Sequence, residues 1–116
     1  MMIVKGLNNP TQRHWRVYHK DNTAAPETDY LVLSTTGSTL DDVKMWNDTV
    51  PTSSVFTIGT NASVNENTKN FIAYLWAEVE GFSKFGSYTG NGSADGPFVW
   101  CGFKPAYVMF KRTNVE

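Results

Sequence analysis

The side chains of this sequence best suited to chemistry are His14 and His19, Cys101, and the carboxylates Glu78 and Glu80. The two histidines stand five apart, so on a strand they face opposite sides and are poorly placed to share a metal ion. That spacing predicts a surface His14 and a partly buried, hydrogen-bonding His19. Glu78 and Glu80 share a strand face, roughly 7 Å apart by the strand rise. Two carboxylates at such a separation suit glycoside hydrolysis. Charged residues also mark where an apolar strand leaves the core, and no neighbouring motif supports catalysis, so the structural reading prevails. Cys101 lies in an apolar run, where a thiol is ordinarily inert, and no Gly-x-Ser-x-Gly elbow is present. The loop Gly90-Asn91-Gly92-Ser93-Ala94-Asp95-Gly96 lacks both the alternating acids of a calcium loop and the Gly-Lys-Ser/Thr of a phosphate loop. It reads as a tight turn of residues that accept φ > 0. No catalytic residue, metal or cofactor is assigned.

Aromatic side chains offer a different chemistry, stacking against the apolar faces of sugar rings. Trp15, Trp46, Trp76 and Trp100 join Tyr18, Tyr30, Tyr74, Tyr88 and Tyr107 as candidates. Most fall at core-like positions by alternation. Tyr18, Tyr88 and Trp46 lie near turns or on a polar face, so with the loop residues Asn91 and Asp95 they form the candidate contact surface for a glycan or partner.

These side chains must be held by short strands. Strand-like runs are predicted over 1–5, 14–19, 30–33, 55–58, 71–79, 82–88, 98–101 and 106–111. In the second, Trp15, Val17 and His19 share one face, and His14, Arg16 and Tyr18 the other. The run 71–79 is the longest and is apolar on both faces until its glutamates, which predicts a central strand covered on both sides. Turn clusters separate the runs, among them Asn8-Asn9-Pro10, Asp21-Asn22-Thr23, Gly59-Thr60-Asn61 and Gly90-Asn91-Gly92. One helix is expected near 39–46, where Leu40, Val43 and Trp46 lie three apart and Ser38 or Thr39 could cap. Many short strands at this spacing predict an all-β fold, an antiparallel β-sandwich of jelly-roll or concanavalin-like type.

Composition bounds the function. The chain has 116 residues and 10 Lys+Arg against 11 Asp+Glu, a net charge of −1. Such a balance disfavours nucleic-acid binding. Charged residues make up 18% and apolar ones 41%, which argues for a folded domain. No run approaches the length of a membrane span, and the apolar-then-cationic N-terminus reverses the charge order of a signal peptide. One cysteine permits no intrachain disulfide, which fits manufacture in a reducing cytosol.

The two ends echo each other. Residues 1–8 can be laid on residues 107–114 at a constant offset of 106, matching Lys5 with Lys111, Asn8 with Asn114, and four apolar positions. This predicts a single domain over 1–116, one repeat unit of about 106 residues followed by the first strand of another.

The glycine-punctuated run 81–99 leading into Gly102-Phe103-Lys104-Pro105-Ala106-Tyr107-Val108 resembles the linking stretch of an often tandemly repeated β-domain of marine phage virion proteins. Trp15-Arg16-Val17-Tyr18-His19-Lys20, Trp46-Asn47-Asp48-Thr49, Pro51-Thr52-Ser53-Ser54-Val55-Phe56 and Ile72-Ala73-Tyr74-Leu75-Trp76-Ala77 match as well. The resemblance implies a tail or fibre component with a lectin-like sandwich by analogy, located in the virion and made in the host cytoplasm. It carries over no catalytic residues. The expected function is therefore a non-catalytic structural or adhesive module. Its expected partners are further copies, joined through terminal strands or as a trimer, or neighbouring virion modules. A carbohydrate-binding module contacting a cell-surface glycan is the second expectation, and a glycan-active enzyme the third.

Overall fold

A computed structural model describes residues 1–8 and 14–114. The turn expected at Asn8-Asn9-Pro10 falls largely outside them. Five strands form one antiparallel sheet: β1 Met2–Gly6, β2 Arg16–Tyr18, β3 Asp29–Val32, β4 Leu40–Asp41 and β5 Phe71–Leu75. Their order across the sheet is β4-β3-β2-β1-β5. Among the described residues the regular structure is thus mostly sheet, with two short helices, α1 Val43–Trp46 and α2 Ala62–Asn65.

Alternation along β1 divides the sheet into two apolar faces. Met2 and Val4 join Tyr18, Met45, Trp46 and Val64 in the first core, with Tyr30, Phe56, Ile58 and Phe71 packed against it. Ile3, Val17 and Leu31 form the second, flanked by Met1 and Leu33. The strands of the first half thus follow the predicted alternation, and β1 to β3 lie within or beside the expected runs.

The helices cover the first face. The helix near 39–46 starts later than expected, because Asp42 rather than Ser38 or Thr39 caps it: the Asp42 carboxylate accepts the Lys44 N–H at 2.9 Å. Its other oxygen accepts from Asn61 Nδ2 at 2.7 Å, tying α1 to the next segment. Leu40 and Asp41 instead extend the sheet as β4, opposite Tyr30 and Asp29. Asn47 ends α1 in the left-handed region at φ 55, its N–H reaching back to the Val43 carbonyl. The second helix was not expected. Asn61 caps it by accepting the Ser63 N–H at 2.8 Å, a signal easily read as a turn.

Three expected features take another form. Residues 55–58 form no strand; the segment runs beside α1, where the Gly59 N–H donates to the Met45 carbonyl and the Asn61 N–H to that of Lys44. A Cβ at Gly59 would lie 2.2 Å from the Lys44 carbonyl oxygen, so only glycine permits this approach. The run 71–79 is not central. Only 71–75 is strand, and it occupies the edge, paired with β1 alone. Finally, 82–88, 98–101 and 106–111 join no ladder; among the described residues the only pairing beyond β5 is a bridge between Val79 and Ser83. A strand needs a partner for its N–H and C=O groups, and no described segment offers one there. Residues 76–114 therefore form an irregular arm, Phe82, Phe98 and Phe110 among its outward side chains. The radius of gyration is 15.2 Å, against roughly 13 Å for a compact domain of this length.

Candidate functional site

The arm returns to the sheet near its end. The Thr39 N–H donates to the Thr113 carbonyl at 2.8 Å, and Lys111 Nζ to the Gly37 carbonyl at 2.6 Å. This brings Met109 to the second face, where it closes one side of an open cavity with Ile3, Trp15, Leu33 and Ser34. The cavity measures about 390 Å³, is shallow and open to solvent on most sides, and its lining is mainly apolar.

Beside it the sheet presents three aromatic rings in succession. Trp15 lies 6.2 Å from Tyr74 at an interplanar angle of 26°, and Tyr74 lies 6.0 Å from Trp76 at 20°. The register explains the meeting: Tyr74 opposes Ile3 on β1, so it shares the second face with Ile3, and Trp76 follows two residues on. Lys5 adds its ammonium 5.9 Å from the Trp15 ring. All three rings are part-exposed, at 37%, 40% and 43%. Near-parallel part-exposed rings beside an apolar cavity can stack on flat apolar ligand faces, while Lys5 and the Ser34 hydroxyl can address polar groups at the rim.

The expected contact residues fall elsewhere. Trp46 is fully buried, its Nε1–H donating to the Asp29 carbonyl at 3.0 Å. Tyr18 is buried with it, edge-on at 6.3 Å and 88°. Neither can meet a ligand. Nearness to turns and a polar strand face favour the surface for both, yet neither says which side chains the assembled sheet and helices cover. Tyr88, Asn91 and Asp95 are exposed on the arm, outside the aromatic row. Asn91 Oδ1 accepts the Ser93 N–H, Ser93 Oγ accepts that of Asp95, and Gly92 and Gly96 both take φ 66. This is the tight turn that the glycines predict. Trp15, Tyr74 and Trp76 read as core by alternation; the second face, which no helix covers there, leaves all three part-exposed.

Four of the candidates with reactive or ionisable groups make local contacts. His19 is half-buried, its ring 6.2 Å from that of Phe85, and its Nδ1 accepts the Asp21 N–H at 3.2 Å. Burial pushes its pKa down from the ordinary value, although Asp21 opposes the shift. His14 is exposed and meets Ser34 Oγ at 2.8 Å. Glu78 accepts the Phe85 N–H at 3.2 Å and pairs with Lys84 at 3.1 Å and Lys20 at 3.4 Å. These contacts, the Phe85 N–H foremost, hold its pKa at about 2, so it is a fixed anion and not a proton donor near neutrality. Cys101 lies in the irregular arm rather than a strand, half-buried, with its Sγ 3.1 Å from the Phe103 carbonyl oxygen. Among the described residues no three His, Cys, Asp or Glu converge as a metal site, and no helix is long and apolar enough to cross a membrane.

The geometry defines a β-sheet protein with helices on one face and an open aromatic row on the other. The chain belongs to a family described as a domain of unknown function (DUF7483), whose model matches residues 1–116. No curated protein and no solved structure matches it.

Proposed function

We propose that this chain is a non-catalytic structural and adhesive module of a phage virion, of tail or fibre type, that works joined to neighbouring modules or further copies. The observation that carries this reading is the arm. Phe82, Phe98, Trp100, Tyr107, Val108 and Phe110 stand outward on one stretch of chain, an apolar display that marks an interaction surface. A neighbour seated on that arm supplies the second layer of a β-sandwich, so the jelly-roll or concanavalin-like architecture belongs to the assembled state. The resemblance of 81–108 to virion β-domains supplies the setting. Light scattering on the eluting full chain tests the reading: a mass above the 13.0 kDa of one copy is expected. A strict monomer at high concentration overturns it.

The aromatic row favours a second reading within the same module, carbohydrate binding. Trp15, Tyr74 and Trp76 offer the stacking surface, in place of Trp46 and Tyr18. A glycan array probed with the wild type, Trp15→Ala and Trp76→Ala checks this. Binding lost in both variants supports the row, and binding unchanged in both removes it.

A further inference from the structure

The backbone of β5 has one side paired and one side open. Met1 and Trp76 exchange both hydrogen bonds, at 3.0 Å each, and the Leu7 N–H donates to the Asn70 carbonyl at 2.9 Å. With the register Met2↔Leu75 through Gly6↔Phe71, the even-numbered residues of this segment turn their N–H and C=O groups toward β1. Phe71, Ala73 and Leu75 therefore turn theirs outward. Among the described residues nothing pairs with this outer row. An exposed edge is ordinarily blunted by charge, proline or a bulge, and 71–77 contains no charged residue, proline or glycine.

We propose that the outer edge of β5 is the docking site for β5 of a second copy, antiparallel about a two-fold axis at Ala73. The register is self-complementary: Ala73 opposes its own counterpart, and Phe71 opposes the partner's Leu75, so every outward N–H and C=O group of the three residues is paired. The smallest side chain of the strand falls at the axis. The flanks carry opposite charges, Lys69 before the strand and Glu78 after it. Antiparallel pairing sets Lys69 near the end of the partner's strand, where Glu78 already meets Lys20 and Lys84, so charge adds little there; parallel pairing sets Lys69 beside the partner's Lys69, which is unfavourable. The axis stands perpendicular to the sheet, so both second faces lie on the same side and the two aromatic rows share one surface. A ligand with repeating units then meets two rows at once, which raises its avidity. The proposal rests on the reading of the chain as a self-joining module and assigns one surface to it.

Ala73→Pro tests it in the full chain, because proline there removes only an outward N–H and leaves the β1 ladder intact. Sedimentation of the wild type is expected to give a two-copy species, and Ala73→Pro to weaken it by roughly tenfold or more. Ala73→Lys retains the N–H, sets two ammonium groups face to face at the axis and is expected to weaken the same species, with circular dichroism confirming the fold. A third variant, Ala73→Cys with Cys101→Ser, is expected to link two copies through a short bis-maleimide. If Ala73→Lys folds and associates like the wild type, or the cysteine variant gives no linked dimer, the edge contact is overturned. Larger assemblies that survive those results leave the module reading standing through its arm; a strictly monomeric wild type overturns both.

Discussion

Residues 1–8 and 107–114 are similar in sequence and opposite in circumstance. Val4 is 2% exposed, while Phe110, at the matching position, is 78% exposed. Val4 sits in β1, flanked by β2 and β5, with Trp46 and Val64 in the same core. Among the described residues no strand flanks Phe110. Apolar alternation makes a segment able to enter a sheet; burial follows only when partners take both its edges and something covers its face. The difference extends to the regions around them. Up to β5 the chain is stapled by ladders, caps and side-chain tethers, whereas residues 76–114 keep a few local turns and scattered contacts with the first half: Trp76 with Met1, Glu78 with Lys20, Phe85 with His19, Met109 on the second face and the two near Gly37 and Thr39.

The most severe way to sharpen this contrast is to strike the centre of the paired half. Trp46→Ala removes the largest fully buried side chain and leaves the Asp29 carbonyl without its donor, at an expected cost of about 3–5 kcal/mol in urea unfolding. A loss below about 1 kcal/mol would place Trp46 outside the core. Gly59→Ala comes next, about 1–3 kcal/mol by the same assay, since its Cβ meets backbone of α1 that cannot swing aside. A smaller effect comes from pH. The folded pKa of His19 lies below its unfolded value of 6.5, so the unfolded chain takes up the proton first. Stability is full above that value and falls as pH drops through it toward the folded pKa. Urea midpoints between pH 7.5 and 5.5 should decline in the wild type and less steeply in His19→Gln; identical slopes would remove His19 as the source. The smallest effect is expected in the arm. Phe98→Ser should change unfolding stability, measured in dilute solution, by no more than about 0.5 kcal/mol, because the ring already stands in water. A cost near that of Trp46→Ala would break the comparison.

The sequence disclosed the paired half well. The alternation of 14–19 and the apolar run 30–33 placed β2 and β3, and in the Gly90–Gly96 turn Gly92 and Gly96 take positive φ. It misled where composition was equal but partners were not. The run 71–79 has the apolar faces of a central strand, yet it took the edge, because the irregular arm brings no strand to its second side. Within the candidate site, Trp46 and Tyr18 are buried while Tyr88, Asn91 and Asp95 are exposed, because burial is decided by what packs over each side chain. Trp46 and Trp76 are both tryptophans near the ends of short elements; one is roofed by the sheet and helices, the other lies open beside Tyr74.

What the residues alone determined is local: the extended stretches of the first half, the asparagine and aspartate caps, the turns at Asn47 and Gly92, and a chain apolar enough to fold. Those follow from each residue's own steric and hydrogen-bonding preferences, which act over a few positions. The tertiary structure decided which tryptophans face inward, which strand is the edge and which apolar segment goes unpaired. Those outcomes depend on segments distant in the chain arriving at the same place, and burial is a property of that arrival rather than of any residue's type.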